Sequence, residues 1–313
     1  MVLQETAPPA VDGRGSRWVP APSLLVVTGA GCLSGSAMFV KLADVGAGTA
    51  AFLRCAVALV ALVPLAVYEY RRHGPLDPSL RRYALVAGAF LGLDYAVWMQ
   101  AILDVGAGIA TVLNNVQVIA FPVLALALGS VPIQRRFLIA CPVLLAGIAL
   151  TGGVLSHNPH AVHQVRGAVL GVASGLAYAV YLYLNRLSGQ RSPQHVVAPV
   201  CAATGAAAVV TGIAGTVTRG ITVDLPAMSW VWIVALALVG QVVAWLLLAA
   251  GTPRLAPNTS AALLLLQPVL AVGLGLMVLH ETPTASQLVG CVLVLVGIWF
   301  ANSTSRRRAH HCP

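Results

Sequence analysis

A chain of 313 residues that is 58% apolar and only 9% charged cannot cover the surface of a soluble protein with polar groups. Soluble domains carry roughly 25% charged residues, so this composition excludes an ordinary soluble fold and indicates a lipid environment. The formal net charge of +9 could also indicate nucleic-acid binding. However, the arginines lie between apolar runs rather than in one patch, which favours membrane topology as the explanation and predicts no nucleic-acid partner.

Ten apolar stretches follow one another along the chain, and each is long enough to cross a bilayer as a helix. We place them roughly at 22–42, 47–68, 82–102, 107–130, 135–153, 166–185, 195–218, 228–250, 256–279 and 284–302. The polar residues 1–21, which lack apolar periodicity, are expected to form a disordered cytoplasmic tail. Residues 303–313 are expected to form a basic cytoplasmic tail.

The cations indicate which ends of these helices face the cytoplasm. If the N-terminus is inside, most of the 18 lysine and arginine residues fall on cytoplasmic segments. The opposite side then holds Lys41, Arg166 and Arg219. This bias follows the positive-inside rule, so both termini are expected inside a bacterial-type cytoplasmic membrane that the chain crosses many times.

The chain also contains an internal duplication. Residues 110–150 align without a gap on residues 260–300. The matched polar and aromatic residues are Gln117 with Gln267 and, at a slightly different shift, Asp94 with Gln241 and Trp98 with Trp245. Two five-helix repeats result, 22–153 and 166–302, joined by an extracytoplasmic linker over 154–165. Because five is odd, the repeats must be inverted relative to each other, an architecture typical of secondary transporters.

Asp94 is the one acid that the predicted helices place in the middle of a span. A lone carboxylate at that depth is costly, so it needs a partner or a role. Two interpretations remain open. Asp94 could form a structural ion pair with Arg54 or Lys41, or it could bind a proton or the amine of a substrate.

Polar and aromatic side chains near Asp94 are expected to line a cavity. Trp98 shares a helix face with Asp94 because the two are four residues apart, and the second repeat carries the same pattern. Amides within membrane helices must form hydrogen bonds inward, either with neighbouring helices or with a substrate. The expected lining residues are Asp94, Trp98, Asn114, Asn115, Gln117, Tyr178, Gln241, Trp245 and Gln267.

Two segments resemble a known family. Residues 34–65, SGSAMFVKLADVGAGTAAFLRCAVALVALVPL, resemble the opening of an EamA-type repeat, with Lys41 ending the first helix and Arg54 in the second. Residues 260–298 resemble the closing hairpin of the second repeat, with its proline at Pro268 and its acid at Glu281. Together with the duplication, these features are similar to the drug/metabolite transporter superfamily.

This resemblance implies ten helices in two inverted repeats that give alternating access to a central cavity. Lys41, Arg54 and Glu281 would then act as gate or ion-pair residues. In the first repeat Val118 stands where the second repeat has Pro268. The predicted mechanism is rocking of residues 22–153 against residues 166–302.

The predicted function is secondary active transport, with export as the expected direction, of a small polar or amphipathic metabolite such as an amino acid. Proton coupling, the substrate and the oligomeric state are left open, and no cofactor or metal is expected. A membrane-embedded enzyme is disfavoured because no helix combines histidine with an acid and no nucleophile motif occurs. A passive channel and a non-transporting sensor or scaffold remain the alternatives.

Overall fold

A computed structural model describes residues 21–105, 110, 113–129, 133–151, 164–217, 220–278 and 284–302. Within these ranges the chain forms helices and contains no strand. Seven helices in this part of the chain are long and apolar enough to cross a membrane. The predicted all-helical membrane fold is therefore confirmed, whereas the count of ten spans and their orientation stay a prediction.

We number the helices in chain order. The first five are α1 Pro22–Ala43, α2 Ala47–His73, α3 Pro78–Val105, α4 Gln117–Gly129 and α5 Arg135–Thr151. The next two are α6 Gln164–Arg191 and α7 Val197–Val217. Helix α8 has three consecutive parts, Ala227–Ala235, the π-helical Leu236–Val243 and Ala244–Gly251. Helix α9 consists of Pro257–Leu264 and Leu266–Val278, and α10 is Ala285–Asn302.

The helices pack as a ring in which neighbours alternate between the two halves of the chain. Followed through its main contacts, the ring runs α1, α8, α2, α7, α3, α6, α4, α9 and back to α1, while α5 and α10 pack on each other beside α9. Exchanging every helix with the one five places along the chain reproduces the same ring. The duplication seen in the sequence is thus also a symmetry of the packing.

This interlocking order does not fit the predicted rocking of residues 22–153 against residues 166–302. Each ring helix has both of its main neighbours in the other half of the chain. Movement of one half as a single body would therefore shift every interface in the ring at once. Any rocking bodies must instead combine helices from both halves.

Two helices predicted to be continuous are interrupted at matching positions. At the start of α4, the Val116 and Val118 amides donate to carbonyl groups only three residues back, at 3.1 and 3.0 Å, so the chain forms a turn there. Helix α9 breaks at Leu265, which is 150 residues beyond Asn115. Pro268 has no N–H to donate to the Leu264 carbonyl, which accounts for the break in α9.

Two acids cap helices at the end of the bundle that the sequence predicts to be cytoplasmic, here called the inner end. The Glu69 carboxylate accepts three backbone N–H groups at the start of α7, at 2.7 to 2.9 Å. Asp77 accepts hydrogen bonds from the Ser79 hydroxyl and, at 2.7 Å, from the Ser79 amide at the start of α3. These bonds to its charged form lower the pKa of Asp77.

Candidate functional site

Asp94 lies in the middle of α3 and is only 6% exposed. Its Oδ1 atom accepts hydrogen bonds from the Asn114 amide at 2.9 Å and from the Ser174 hydroxyl at 2.5 Å. Asn114 also donates to the Ser174 oxygen at 2.5 Å. Asp94 thereby joins α3 to α6 and to the turn that precedes α4, and both of these donors are neutral.

Arg54, one of the predicted partners of Asp94, bonds elsewhere. Its guanidinium donates to the Gly240 carbonyl at 3.0 Å, and its central carbon lies 4.4 Å from the centre of the Tyr95 ring. The Arg54 Nε is buried and, among the described residues, has no hydrogen-bond partner. Arg54 is close enough to Asp94 for electrostatic attraction, although neutral donors make the carboxylate's hydrogen bonds.

The carbonyl that Arg54 contacts belongs to the π-helical part of α8, Leu236–Val243. A π-helix shifts the backbone hydrogen bonds from the fourth to the fifth residue, so the helix is wider there and its carbonyls are displaced. Such segments are rare and frequently lie at functional sites. The sequence LALVGQVV carries no distinctive signal for this change, and our sequence analysis missed it.

Gln241, also in the π-helical segment, is fully buried and joins three helices. Its side-chain oxygen accepts from the Tyr95 hydroxyl at 2.9 Å and from the Trp245 indole at 3.3 Å. Its amide nitrogen donates to the Thr204 hydroxyl at 3.3 Å. The Trp245 indole also lies 3.2 Å from the Tyr95 oxygen. Tyr95 could not be selected from the sequence, because the helix face predicted for Asp94 contains Trp98, four residues on, and not the adjacent Tyr95.

The two predicted tryptophans lie in different surroundings. Trp245 is 2% exposed and packs in a T-shaped arrangement with two tyrosine rings, with centroids 4.7 Å away at Tyr181 and 5.9 Å away at Tyr178. Trp98 is half-buried and packs on a small separate cluster with Ala101 and Leu170. The duplication therefore predicts matching residue types here but not matching environments.

Two of the predicted amides beside the interrupted helices have a buried side-chain atom with no protein partner among the described residues. Among the described residues, the Gln117 side-chain oxygen and the Gln267 side-chain nitrogen form no hydrogen bond. The Tyr178 hydroxyl lies beside Gln267 without a hydrogen bond of ordinary geometry. Asn115 is 7% exposed. Buried polar atoms without a partner are places where a water molecule or a ligand can bind.

Two equivalent serines connect the first helix of each repeat to the interrupted helix of the other repeat. The Ser34 hydroxyl in α1 donates to the Gln267 carbonyl at 2.9 Å, and Ser174 in α6 bonds to Asn114. Each serine is followed by a glycine. A Cβ atom at Gly175 would lie 2.2 Å from the Asn114 carbonyl oxygen, so this close approach of backbones requires glycine.

A cavity of about 320 Å³ lies between α2, α3 and α7 at the opposite end of the bundle from the inner end, here called the outer end. Gly46, Gly48, Gln100 and Gly215 line its mouth, and Ala51, Tyr95 and Thr211 lie deeper. Tyr95, which is part of this lining, also donates a hydrogen bond to Gln241. Asp94 and the other predicted lining residues are not part of this cavity wall.

An ion pair at the outer end was also missed. Arg166 donates twice to the buried Asp104 carboxylate, at 2.7 and 2.6 Å, and Gln100 donates to the same carboxylate at 3.0 Å. In the sequence, Arg166 indicated only the topology. Two other predicted residues cannot be placed, because Glu281 and the Lys41 side chain lie outside the described part of the chain.

Comparison with known proteins identifies the family. The sequence model of the EamA-like transporter family matches residues 21–153 and again residues 165–303. A relative from Archaeoglobus fulgidus, named as an uncharacterized transporter, is 24% identical over 250 residues, which cover 80% of this chain and 84% of that protein. A crystal structure that is 18% identical has the same fold, with a TM-score of 0.74 over 90% of this chain and 97% of its own. The chain belongs to the EamA-like transporter family.

Proposed function

We propose that this protein is a secondary transporter that exports a small polar or amphipathic metabolite, such as an amino acid, by alternating access. The family match and the relative's name support a general transporter role. The more specific proposal depends on one observation, the burial of the Asp94 carboxylate against the neutral donors Asn114 and Ser174. We further propose that the protein lies in a bacterial-type cytoplasmic membrane with both termini inside.

The electrostatics of this site favour a proton or a cationic group as its ligand. An ionised carboxylate far from water is costly unless a cation or several hydrogen bonds compensate for the lost hydration. Neutral donors supply only part of that compensation, so a proton or a substrate ammonium can supply the rest. The nearby Arg54 guanidinium, with its unpartnered Nε, would suit a carboxylate group. Opposite charges on two sides of one site match a zwitterion.

The interrupted helices support substrate binding at the same level. In secondary transporters, broken helices expose backbone and side-chain polar groups near the middle of the membrane. Here the two breaks lie next to Gln117 and Gln267, whose side chains retain unpartnered atoms. We propose that these amides and Tyr178 bind the polar groups of the substrate. The exchange symmetry of the ring supports alternating access rather than a fixed pore.

The test is counterflow in proteoliposomes with labelled amino acids, nucleobases, sugars and cationic dyes, followed by Asp94→Asn on the substrate that exchanges. Asparagine can still accept the hydrogen bonds of Asn114 and Ser174, but it cannot carry a proton. We expect Asp94→Asn to reduce transport driven by a pH gradient to background while substrate exchange continues. Asp224→Asn, which removes an exposed acid, is the matched control.

Other outcomes would favour the alternatives. Loss of both transport and folding in Asp94→Asn would support a structural role for the carboxylate. A voltage-independent ohmic current would support a passive channel. No exchange across the whole panel, from protein shown to be folded, would contradict the metabolite carrier and favour a channel or a sensor.

A further inference from the structure

Tyr95 is among the deepest residues that line the outer cavity, and we propose that its side chain is the outer gate of the transport path. Arg54 and Gln241 hold Tyr95 between the cavity and the site around Asp94. Passage between the two would require the Tyr95 hydroxyl to leave Gln241. The inference rests on the proposed transport function, but its test needs no substrate.

The order of residues along two helices shows that Tyr95 is at the deep end of the cavity. Helix α2 begins at the outer end, so Ala51 lies deeper than Gly46. Helix α3 ends there, so Tyr95 lies deeper than Gln100. Each of these pairs is five residues apart, which corresponds to about 7.5 Å of helix. The cavity is therefore about this deep along α2 and along α3.

Two consecutive residues of α3 belong to two different places, the outer cavity and the site around Asp94. Tyr95 lines the cavity, whereas the preceding residue, Asp94, bonds to Asn114 and Ser174. Successive side chains of an α-helix point about 100° apart, so the two residues can face different spaces at the same depth. The cavity lining and the hydrogen-bonded site are therefore adjacent at this position.

The polar contacts that hold Tyr95 are breakable, and one part of its side chain borders the cavity while the rest packs on the core. The hydroxyl has two hydrogen-bond partners on α8, and the Arg54 guanidinium contacts the ring face. The cavity beyond is lined mainly by small residues, among them Gly48, Ala51 and Ala96, which leave room for an aromatic ring to rotate. A residue serving only as core would be packed on every side.

The native cysteine at position 55 provides a reporter for this gate. Cys55 is fully buried, follows Arg54 in α2 and lies close to Tyr95. In a variant whose other cysteines are replaced by alanine, a membrane-impermeant methanethiosulfonate reagent added outside should modify Cys55 slowly. Val223→Cys, an exposed position at the outer end, should react quickly and shows that the reagent reaches that side.

The decisive variant is Tyr95→Phe, which removes the hydroxyl and keeps the ring. Hydrogen bonds between membrane helices are modest, so their loss should raise the rate of Cys55 modification by about 3- to 15-fold. Tyr68→Phe, at an exposed site toward the other end of α2, is the matched control and should leave the rate unchanged. If Tyr95→Phe fails to fold, Gln241→Met removes the same bond from the α8 side.

Two results would contradict the proposed gate. The first is an equal rate of Cys55 modification in Tyr95→Phe and Tyr68→Phe. The second is modification of Cys55 as fast as that of Val223→Cys when Tyr95 is unchanged. If the transport proposal is wrong but the barrier at Tyr95 exists, the two experiments give a different combination of results. In that case the counterflow panel gives no exchange, yet Tyr95→Phe still accelerates the modification of Cys55.

Discussion

The Glu69 carboxylate is a single side chain on which the start of α7 depends. It accepts the amides of Val196, Val197 and Ala198, which would otherwise have no partner at the helix N-terminus. Hydrogen bonds to a charged acceptor are roughly twice as strong as neutral ones, and the helix dipole favours a negative charge there. Glu69→Gln should therefore lower the free energy of unfolding by about 1–3 kcal/mol.

Denaturant unfolding of the purified protein in detergent would measure this loss. Asp224→Asn removes the same charge from an exposed loop and should leave the stability unchanged. Equal stability of Glu69→Gln and this control would show that the cap contributes little.

The burial of Asp94 could be predicted because a charge inside an apolar run is conspicuous. The contacts of Tyr95 and the pairing of the buried Asp104 with Arg166 could not be predicted, because they depend on which helices meet. A tyrosine or a terminal acid is ordinary in a membrane helix, so its residue type alone indicates nothing. The partners lie 62 residues apart for Asp104 and 146 for Tyr95, beyond the range of helical spacing rules.

At the scale of the helices, the contact between α3 and α7 depends on Gly88. A Cβ atom added there would lie 2.0 Å from the Ala203 carbonyl oxygen and 2.5 Å from its Cα, and backbone cannot move aside as a side chain can. Gly88→Ala should force the helices apart and lower the free energy of unfolding by about 1–3 kcal/mol or more.

The matched control is Gly205→Ala on α7, where an added Cβ meets nothing within 4 Å. This change should be neutral or stabilise the helix by up to about 1 kcal/mol, because alanine is the better helix former. Thermal loss of the monodisperse peak in size-exclusion chromatography would compare both variants. If the two glycines tolerate alanine equally, the close approach of α3 and α7 is not required.

The positions of the helices could be predicted from apolar length, but their interruptions only in part. Pro268 is a signal for the break in α9, and the repeat alignment then points to Asn115 as the equivalent position. The first repeat has Val118 instead of a proline, so its turn has no such signal. The π-helical segment around Gly240 likewise depends on contacts such as that with Arg54.

At the scale of the whole molecule, the sequence predicted two similar halves but not how they interlock. A duplication shows which helices are equivalent, whereas it does not show which helices are neighbours. The ring order follows from packing between small residues, as at Gly88 and Gly175, whose partners lie in other parts of the chain. For this reason the sequence could not show that the predicted movement of one half against the other conflicts with the packing order.

The interlocked ring makes each half dependent on the other for folding. If the chain is cut within 154–165 and the two pieces are expressed together, we expect a one-to-one complex that elutes like the intact chain. Each piece expressed alone should be degraded or aggregate, because α1 to α4 and α6 to α9 find their main neighbours in the other piece. A monodisperse, helical half on its own would contradict the ring, since that half would have to form contacts among its own helices that the alternating order does not provide.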